Sequence, residues 1–426
     1  MVRLFDYTKM PHRSILMIDA RSFYASAHCA LLGLDPRAAH LAVVGDPERS
    51  GSIVLAASIA LKRDFGVSNV SRFFELPKDP RIQIVKAQMG KYIETSTKLT
   101  KILNQFAPYD SIFQYSIDEA WVDITGTEKL FGDKWTVARL IKDKIWKELT
   151  IPVAIGMGPN MLMAKLCLDI EAKKASENIA EWRYEELPDR LWPVPIKKMW
   201  GIGSRMERNL HRIGIRTVGH LANYDVNLLE KRFGIIGVQL YNHSWGIDLS
   251  EVKPNYDVAH KSYGNGITLL RDYSKPSEIK IVIQELCDEV TRRARKDGLM
   301  GKTIGLGIGY SDGVISGGGF SRSVSIDTPT YFEDEVYRIC LQLFERYYEP
   351  GHDVRTVYVC LSNVCSDREV QLDFFSFRSR ERKRNLSMAI DDIRERFGTT
   401  AILKASSYLD GGIAIERSRK IGGHYG

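Results

Sequence analysis

A chain of 426 residues is too long for one hydrophobic core and predicts about three or four compact units of roughly 100 to 150 residues each. Hydrophobic residues at 44% and charged residues at 27% are ordinary for a soluble globular protein. No apolar run approaches the roughly 20 residues a membrane span needs, and the N-terminal "MVRLFDYTKMPHR" lacks a signal peptide's apolar core, so a cytoplasmic protein is expected.

The formal net charge of +7 is compatible with a polyanionic partner but does not require one. Six cysteines, scattered without a CxxC pair, suggest neither a zinc site nor a disulfide framework and read as reduced, mostly buried thiols.

In chain order, "SILMID" (14–19) reads as an apolar strand ending in Asp19. The helix "SFYASAHCALLGL" (22–34) follows, with Ser22 as its expected N-cap. Residues 50–88 form a small mixed insertion whose helix, "SIALKRDFGV", carries Arg63. From residue 90 the pattern is regular: helix "GKYIETSTKLTKILNQF", strands "SIFQYS" and "AWVDITG", helix "DKWTVARLIKDKIWKEL" and strand "PVAIGMG". With the first strand this is the β, α, β, β, α, β order of a ferredoxin-like sheet.

"YSIDEAWVDI" (115–124) places Asp118 and Glu119 side by side within a run of strand formers. Neighbouring strand residues point to opposite faces, so one of the two acids would enter a buried layer, where a lone charge is costly. Either the pair sits at a turn facing water, or a cation neutralises it. The hairpin bend falls close to "IDEA", and the hairpin's first strand is expected to neighbour the strand ending in Asp19. Three carboxylates would then meet at one sheet edge. Such hard oxygen ligands suit two Mg²⁺ ions, or Mn²⁺, and the chemistry implied is phosphoryl or nucleotidyl transfer.

These two stretches, "MIDARSFYAS" (17–26) and "YSIDEAWVDI", occurring in this order, resemble the first two motifs of the Y-family translesion DNA polymerases of the UmuC/DinB type, closest to the UmuC-like Gram-positive branch. The resemblance covers nearly the whole chain. It implies an α+β right-hand polymerase with a ferredoxin-like palm (1–30 and 89–178), small fingers (31–88), a helical thumb (179–250), a linker (251–260) and a second ferredoxin-like little finger (261–365), followed by a C-terminal tail (366–426).

It also implies that Asp19, Asp118 and Glu119 are the catalytic ligands of two Mg²⁺ ions. Tyr24 matches the steric-gate aromatic beneath the incoming sugar, and Phe23 a second aromatic of the nucleotide pocket. Arg63 and Lys173 match residues that reach the triphosphate. This chain departs from the pattern at Ala60, where some branches place a tyrosine, and in the spacing from Asp169 to Lys173, which is one residue longer than in some relatives.

"KKMWGIGSRMERNLHRIGIRTVGHLANYD" (197–225) has the look of a helix-hairpin-helix. The turn Gly201, Ile202, Gly203 could hold a DNA phosphate through backbone N–H groups. Residues 250–260 lack periodicity. Beyond them the β, α, β, β, α, β order recurs, without an acidic pair. On its strand "FSRSVSID" the serines 321, 323 and 325 offer small donors on one face.

"QLDFF" (371–375) resembles the motif by which bacterial polymerases bind the sliding clamp (its beta subunit), with Gln371, Leu372, Phe374 and Phe375 as the contacts. The run "RSRERKR" (378–384) reads as a DNA contact or a solvated linker, and "MAIDDIRERFG" as a short amphipathic helix.

The function expected is an error-prone, template-directed DNA polymerase for translesion synthesis in the bacterial cytoplasm, with primer-template DNA, deoxynucleoside triphosphates and the clamp as partners. A recombinase filament and SOS accessory subunits are further candidate partners. The alternative is a non-catalytic factor that grips DNA and the clamp after damage; an intact acidic triad argues against it.

Overall fold

The structure is a computed structural model that describes residues 5–69, 71–254, 261–311, 318–368 and 377–425. The chain divides into two compact units, Met1–Tyr256 with His424–Gly426, and Asp257–Gly423. The division falls inside the stretch read as a linker, of which residues 255–260 lie outside the described residues. Among the described residues no helix is long and apolar enough to cross a membrane.

The first unit begins with β1 (Ile15–Ala20) and α1 (Phe23–Leu31). A small insertion follows, made of β2 (Leu41–Val44), β3 (Val54–Ala57), α2 (Ile59–Phe65) and β4 (Gln83–Lys86). Its strands form a separate sheet in the order β3-β2-β4 around a small core that includes Val44, Val54 and Leu61.

Then come α3 (Met89–Leu103), β5 (Ile112–Gln114), β6 (Glu119–Asp123), α4 (Lys134–Leu149), β7 (Val153–Gly158), α5 (Met161–Ile170) and β8 (Ile179–Glu181). The sheet runs β5-β6-β1-β7-β8. Its first four members have the neighbour relations of the split βαβ arrangement. One expectation needs correcting: β1 is flanked by β6, the second strand of the hairpin, while β5 is the edge strand. Placing the second strand centrally is what brings Glu119, the first residue of β6, opposite Asp19.

Both faces of this sheet are covered, which explains why "ILMIDA" is buried throughout. Successive residues of β1 divide between two cores. Leu16 and Ile18 join α1, α3 and α4 residues such as Tyr92 and Ile141. Ile15 and Met17 join α5 residues and the helical segment beyond β8. That segment contains α6 (Ser204–His211), α7 (Val218–Ala222), α8 (Val226–Phe233) and α9 (Ile235–Ser244).

Helix α5 rides directly on β7 because Gly156 and Gly158 have no side chain. A Cβ on Gly156 would stand 2.3 Å from the Leu168 nitrogen and 2.4 Å from the Ala164 oxygen.

In the second unit the elements are β9 (Ser262–Tyr273), α10 (Pro276–Lys296), β10 (Leu299–Tyr310), β11 (Gly319–Thr330), α11 (Glu333–Tyr347) and β12 (Val354–Ser366). The repeated order of elements is as read. The ferredoxin-like expectation is corrected here: the sheet runs β11-β10-β12-β9, so the second and fourth strands are central, where a ferredoxin-like sheet has the first and third. Along β10, buried Ile304, Leu306 and Ile308 alternate with Gly305, Gly307 and Gly309, which leave the opposite face almost bare backbone. Ser321, Ser323 and Ser325 of β11 lie in register with Gly307, Gly305 and Thr303.

The C-terminal segment is neither a solvated linker at "RSRERKR" nor a short helix at "MAIDDIRERFG". Residues Phe377–Phe397 form one helix, α12. Several of its basic residues are engaged within the unit: Lys383 with Asp334 at 2.6 Å, Arg384 with Asp367 at 3.5 Å, and Arg380 donating to the Pro329 carbonyl. Asp391 takes two hydrogen bonds from Arg295, and Arg394 pairs with Asp288 at 2.9 Å. The chain then returns to bury Ile413 in the core of the unit, the Ile413 N–H donating to Glu285. The clamp-motif residues Gln371, Leu372, Phe374 and Phe375 lie outside the described residues.

The close contact at Gly156 gives a direct test. Gly156→Ala must push α5 off β7, and overpacking of this kind costs about 1–3 kcal/mol or more. Denaturant unfolding should show a loss of at least that size; an unchanged midpoint would mean that α5 does not ride on the glycine.

Candidate active site

Asp19 is the fifth residue of β1 and faces Glu119 across the antiparallel β1–β6 pair. Asp118 lies in the bend before β6, where its carbonyl accepts from the Ala20 N–H and its side chain accepts from the Ser116 hydroxyl at 2.6 Å. Both resolutions of the acidic pair are therefore used. Asp118 sits at a bend beside a cavity of about 730 Å³, and Glu119 enters a buried layer beside lysines.

Those lysines come from α5 and the turn after it. Lys165, with 6% of its side chain exposed, reaches Glu119 at 2.6 Å and Asp169 at 3.2 Å. Lys173 reaches Asp19 at 2.9 Å, Asp169 at 2.9 Å and Glu119 at 3.9 Å. Burial and the facing Asp19 push the Glu119 carboxyl up to about 7, against the pull of Lys165. Burial opposes the charge on Lys173, yet Asp19 and Asp169 beside it hold its pKa above the usual lysine value.

Among the described residues no three His, Cys, Asp or Glu side chains are gathered into a metal cage. Ammonium groups neutralise Asp19 and Glu119 instead. An all-carboxylate donor set already seating a cation between two of its members fits a hard divalent ion, which prefers such oxygen ligands.

The aromatic pair after Asp19 divides its roles. Phe23 is 3% exposed and belongs to the core while also forming part of the cavity wall. Tyr24 is half-buried on the same wall, stacked on Tyr92 with ring centroids 5.0 Å apart and planes at 22°. Tyr92 is itself held by a 2.8 Å hydrogen bond with His28. Burial and the nearby Asp118 raise the Tyr24 pKa.

Ser22 precedes α1 but does not cap it through its side chain. Its backbone is left-handed, with φ of 50°, and its hydroxyl accepts from Lys62 at 2.9 Å. Arg63 lies at the cavity rim with 65% of its side chain exposed, bonded twice to Asp64.

The helix-hairpin-helix residues lie apart from this cavity, in the helical segment. Gly201 has φ of +88° with nothing within 4 Å of a Cβ, and Gly203 is the N-cap of α6. Ile202 points inward at 8% exposure, and its N–H is taken by the Met199 carbonyl, so it anchors the turn and leaves the open backbone to its two glycines. The second half-motif packs alongside through the Ile196 N–H donating to the Arg216 carbonyl.

Sequence reasoning missed Lys165, Lys62 and Arg21, all of which the fold brings to the carboxylates or the cavity, and used Asp169 only to place Lys173, although it bonds both Lys165 and Lys173. Lys165 carries a readable signal, as the one cation in the apolar helix "MLMAKLCLDI". Lys62 and Arg21 carry none. The buried pair of Lys165 and Glu119 is testable: Lys165→Met leaves Glu119 beside Asp19 without its nearest cation, which should cost about 2–4 kcal/mol without divalent ions. The double variant with Glu119→Gln should recover most of that loss in denaturant unfolding. Equal stability of the single variant and the wild type would refute the pairing.

Residues 18–169 match the impB/mucB/samB family, 184–215 the IMS family HHH motif, and 260–374 the impB/mucB/samB family C-terminal domain. The provisionally named UV-damage repair protein UvrX of Bacillus subtilis (strain 168) is 48% identical over 99% of this chain and 100% of its own length. DNA polymerase IV 2 of the same organism is 39% identical over 98% of this chain and 100% of its own. DNA polymerase IV of Pelotomaculum thermopropionicum is 36% identical over 95% and 97%.

Among solved structures, a Dbh-Dpo4-Dbh chimera of Y-family DNA polymerases shares the fold, with a TM-score of 0.66 at 23% identity over 83% of this chain and 99% of that one. With three family segments in order and full-length relatives at this identity, the chain belongs to the Y-family DNA polymerases, the impB/mucB/samB family.

Proposed function

We propose that this protein is a template-directed, error-prone DNA polymerase for translesion synthesis. The observation that carries the reading is the register Asp19 opposite Glu119, with Asp118 in the adjoining bend, on a cavity walled by Tyr24 and Phe23. The palm would comprise residues 1–30 and 89–178, the fingers 31–88, the thumb 179–250 and the little finger 261–365. Members of the family generally use divalent metal ions. Asp19, Asp118 and Glu119 would hold Mg²⁺, which supplies Lewis-acid activation of the primer 3′-hydroxyl and charge neutralisation at the phosphates.

The protein's own residues account for the rest. Tyr24, backed by Tyr92, would set the floor beneath the incoming sugar. Lys173 and Arg63 would meet the triphosphate, Arg63 by exchanging Asp64 for a phosphate of similar geometry. Gly201, Gly203 and the open N–H groups at the start of α6 would take a DNA phosphate. The glycine-lined outer face of β10 and the serines beside it would let a DNA backbone approach closely. Residues 371–375 would tether the enzyme to the sliding clamp, which raises its effective concentration at the primer.

Asp118→Ala and Glu119→Ala should each abolish primer extension on undamaged and abasic templates while DNA affinity, which comes mainly from phosphate contacts elsewhere, stays close to wild type. Undiminished extension by both variants would remove the catalytic assignment. Tyr24→Ala should raise ribonucleotide incorporation strongly while deoxynucleotide incorporation falls less, because only discrimination depends on the ring's bulk. An unchanged sugar preference would show that Tyr24 serves only to pack against Tyr92.

A further inference from the structure

We propose that Lys62, on the inner side of α2, holds the triphosphate of the incoming nucleotide and contributes more to that hold than its neighbour Arg63. This inference rests on the polymerase reading above and names a binding residue that reading does not contain.

The first observation is where Lys62 points. Its ammonium group crosses from α2 to the turn after β1 and donates to the Ser22 hydroxyl at 2.9 Å, inside the wall of the 730 Å³ cavity. A hydroxyl is a weak partner for a half-buried cation. Among the described residues Lys62 makes no ion pair, whereas Lys165 and Lys173 each hold carboxylates.

The second observation is its surroundings. Burial and the neighbouring charges of Arg21 and Lys173 pull the Lys62 pKa down, with Asp19 pulling the other way. Arg21, Lys62 and Lys173 thus converge on one cavity, and among the described residues only Lys173 of the three holds a carboxylate; Arg21 bonds the Asn178 side-chain oxygen. A polyanion entering the cavity would relieve the repulsion and give Lys62 charged acceptors in place of a hydroxyl.

The third observation concerns its neighbour. Arg63 is mostly exposed, and Asp64, which closes on it with bonds of 2.6 and 3.0 Å, is also held by His40 at 2.8 Å. A phosphate must displace that pairing to win Arg63, but need displace only a hydroxyl to win Lys62. Ala60, one turn before Arg63, is fully buried and offers no side-chain donor. Lys62 is therefore the cation of α2 best placed for the triphosphate.

The test uses the full-length protein with Mg²⁺ and two readouts: single-nucleotide insertion kinetics, and calorimetric binding of inorganic tripolyphosphate without primer. Lys62→Met should raise the KM for deoxynucleotide and weaken tripolyphosphate binding by about 10-fold or more, the loss of a charged hydrogen bond. kcat and Tm should change less, Lys62→Arg should largely restore both affinities, and Arg63→Ala should cost less than Lys62→Met.

If Lys62 merely ties α2 to Ser22, Lys62→Met will lower the Tm and leave tripolyphosphate binding intact, which overturns the proposal. A larger loss from Arg63→Ala than from Lys62→Met overturns it as well. Should the wild type extend no primer yet bind tripolyphosphate through Lys62, the binding residue stands and the polymerase reading falls.

Discussion

Two carboxylates facing each other across a strand pair set the terms for the rest of the first unit. Asp19 and Glu119 are cross-strand partners near the middle of a sheet covered on both faces, where like charges would repel and each would lose its hydration. The arrangement holds because one helix and the turn after it deliver Lys165 and Lys173 to within 2.6 and 2.9 Å of these acids. That delivery depends on α5 lying close to β7, and the close approach depends on Gly156 and Gly158. A glycine pair on one strand, a lysine pair beyond it and an acid pair on the two strands beside it therefore form one mechanical unit.

The same lysines define the character of the cavity. Lys173 neutralises Asp19 and lines the cavity, so it cannot serve both the carboxylate and a bound phosphate at full strength. Charge on one side of the cavity is thereby coupled to charge on the other. A cation taken by the acids frees a cation for an anion, in keeping with a site where metal and nucleotide arrive together. Tyr24 belongs to the same economy of space, since Tyr92 and its bond to His28 stop the ring from yielding inward.

Much of the architecture was legible because it depends on local period. The apolar run ending in Asp19, the hairpin around Asp118 and Glu119, and the recurrence of β, α, β, β, α, β after residue 260 follow from alternation and helical spacing that each segment carries within itself. The C-terminal region was less legible for a related reason. Its basic run looks like a solvated face until Asp334 of α11 is seen beside Lys383; farther along the same helix Arg394 pairs with Asp288 and Asp391 with Arg295, both of α10. Charge patterning names a partner only when the partner lies within a turn or two.

The sequence by itself determined the family and singled out, in two short motifs, three acids and the aromatic Tyr24 that follows the first of them, because each is defined by its immediate neighbours. Tertiary structure alone decided that β6 rather than β5 lies against β1, that the second sheet runs β11-β10-β12-β9, and that Ile202 turns inward. It alone also decided which lysine serves which acid. Glu119 and Lys165 are 46 residues apart, and Lys62 and Ser22 are 40 apart. Contacts at that range are set by how a helix docks on a sheet, a property of close packing among many side chains that no single segment contains.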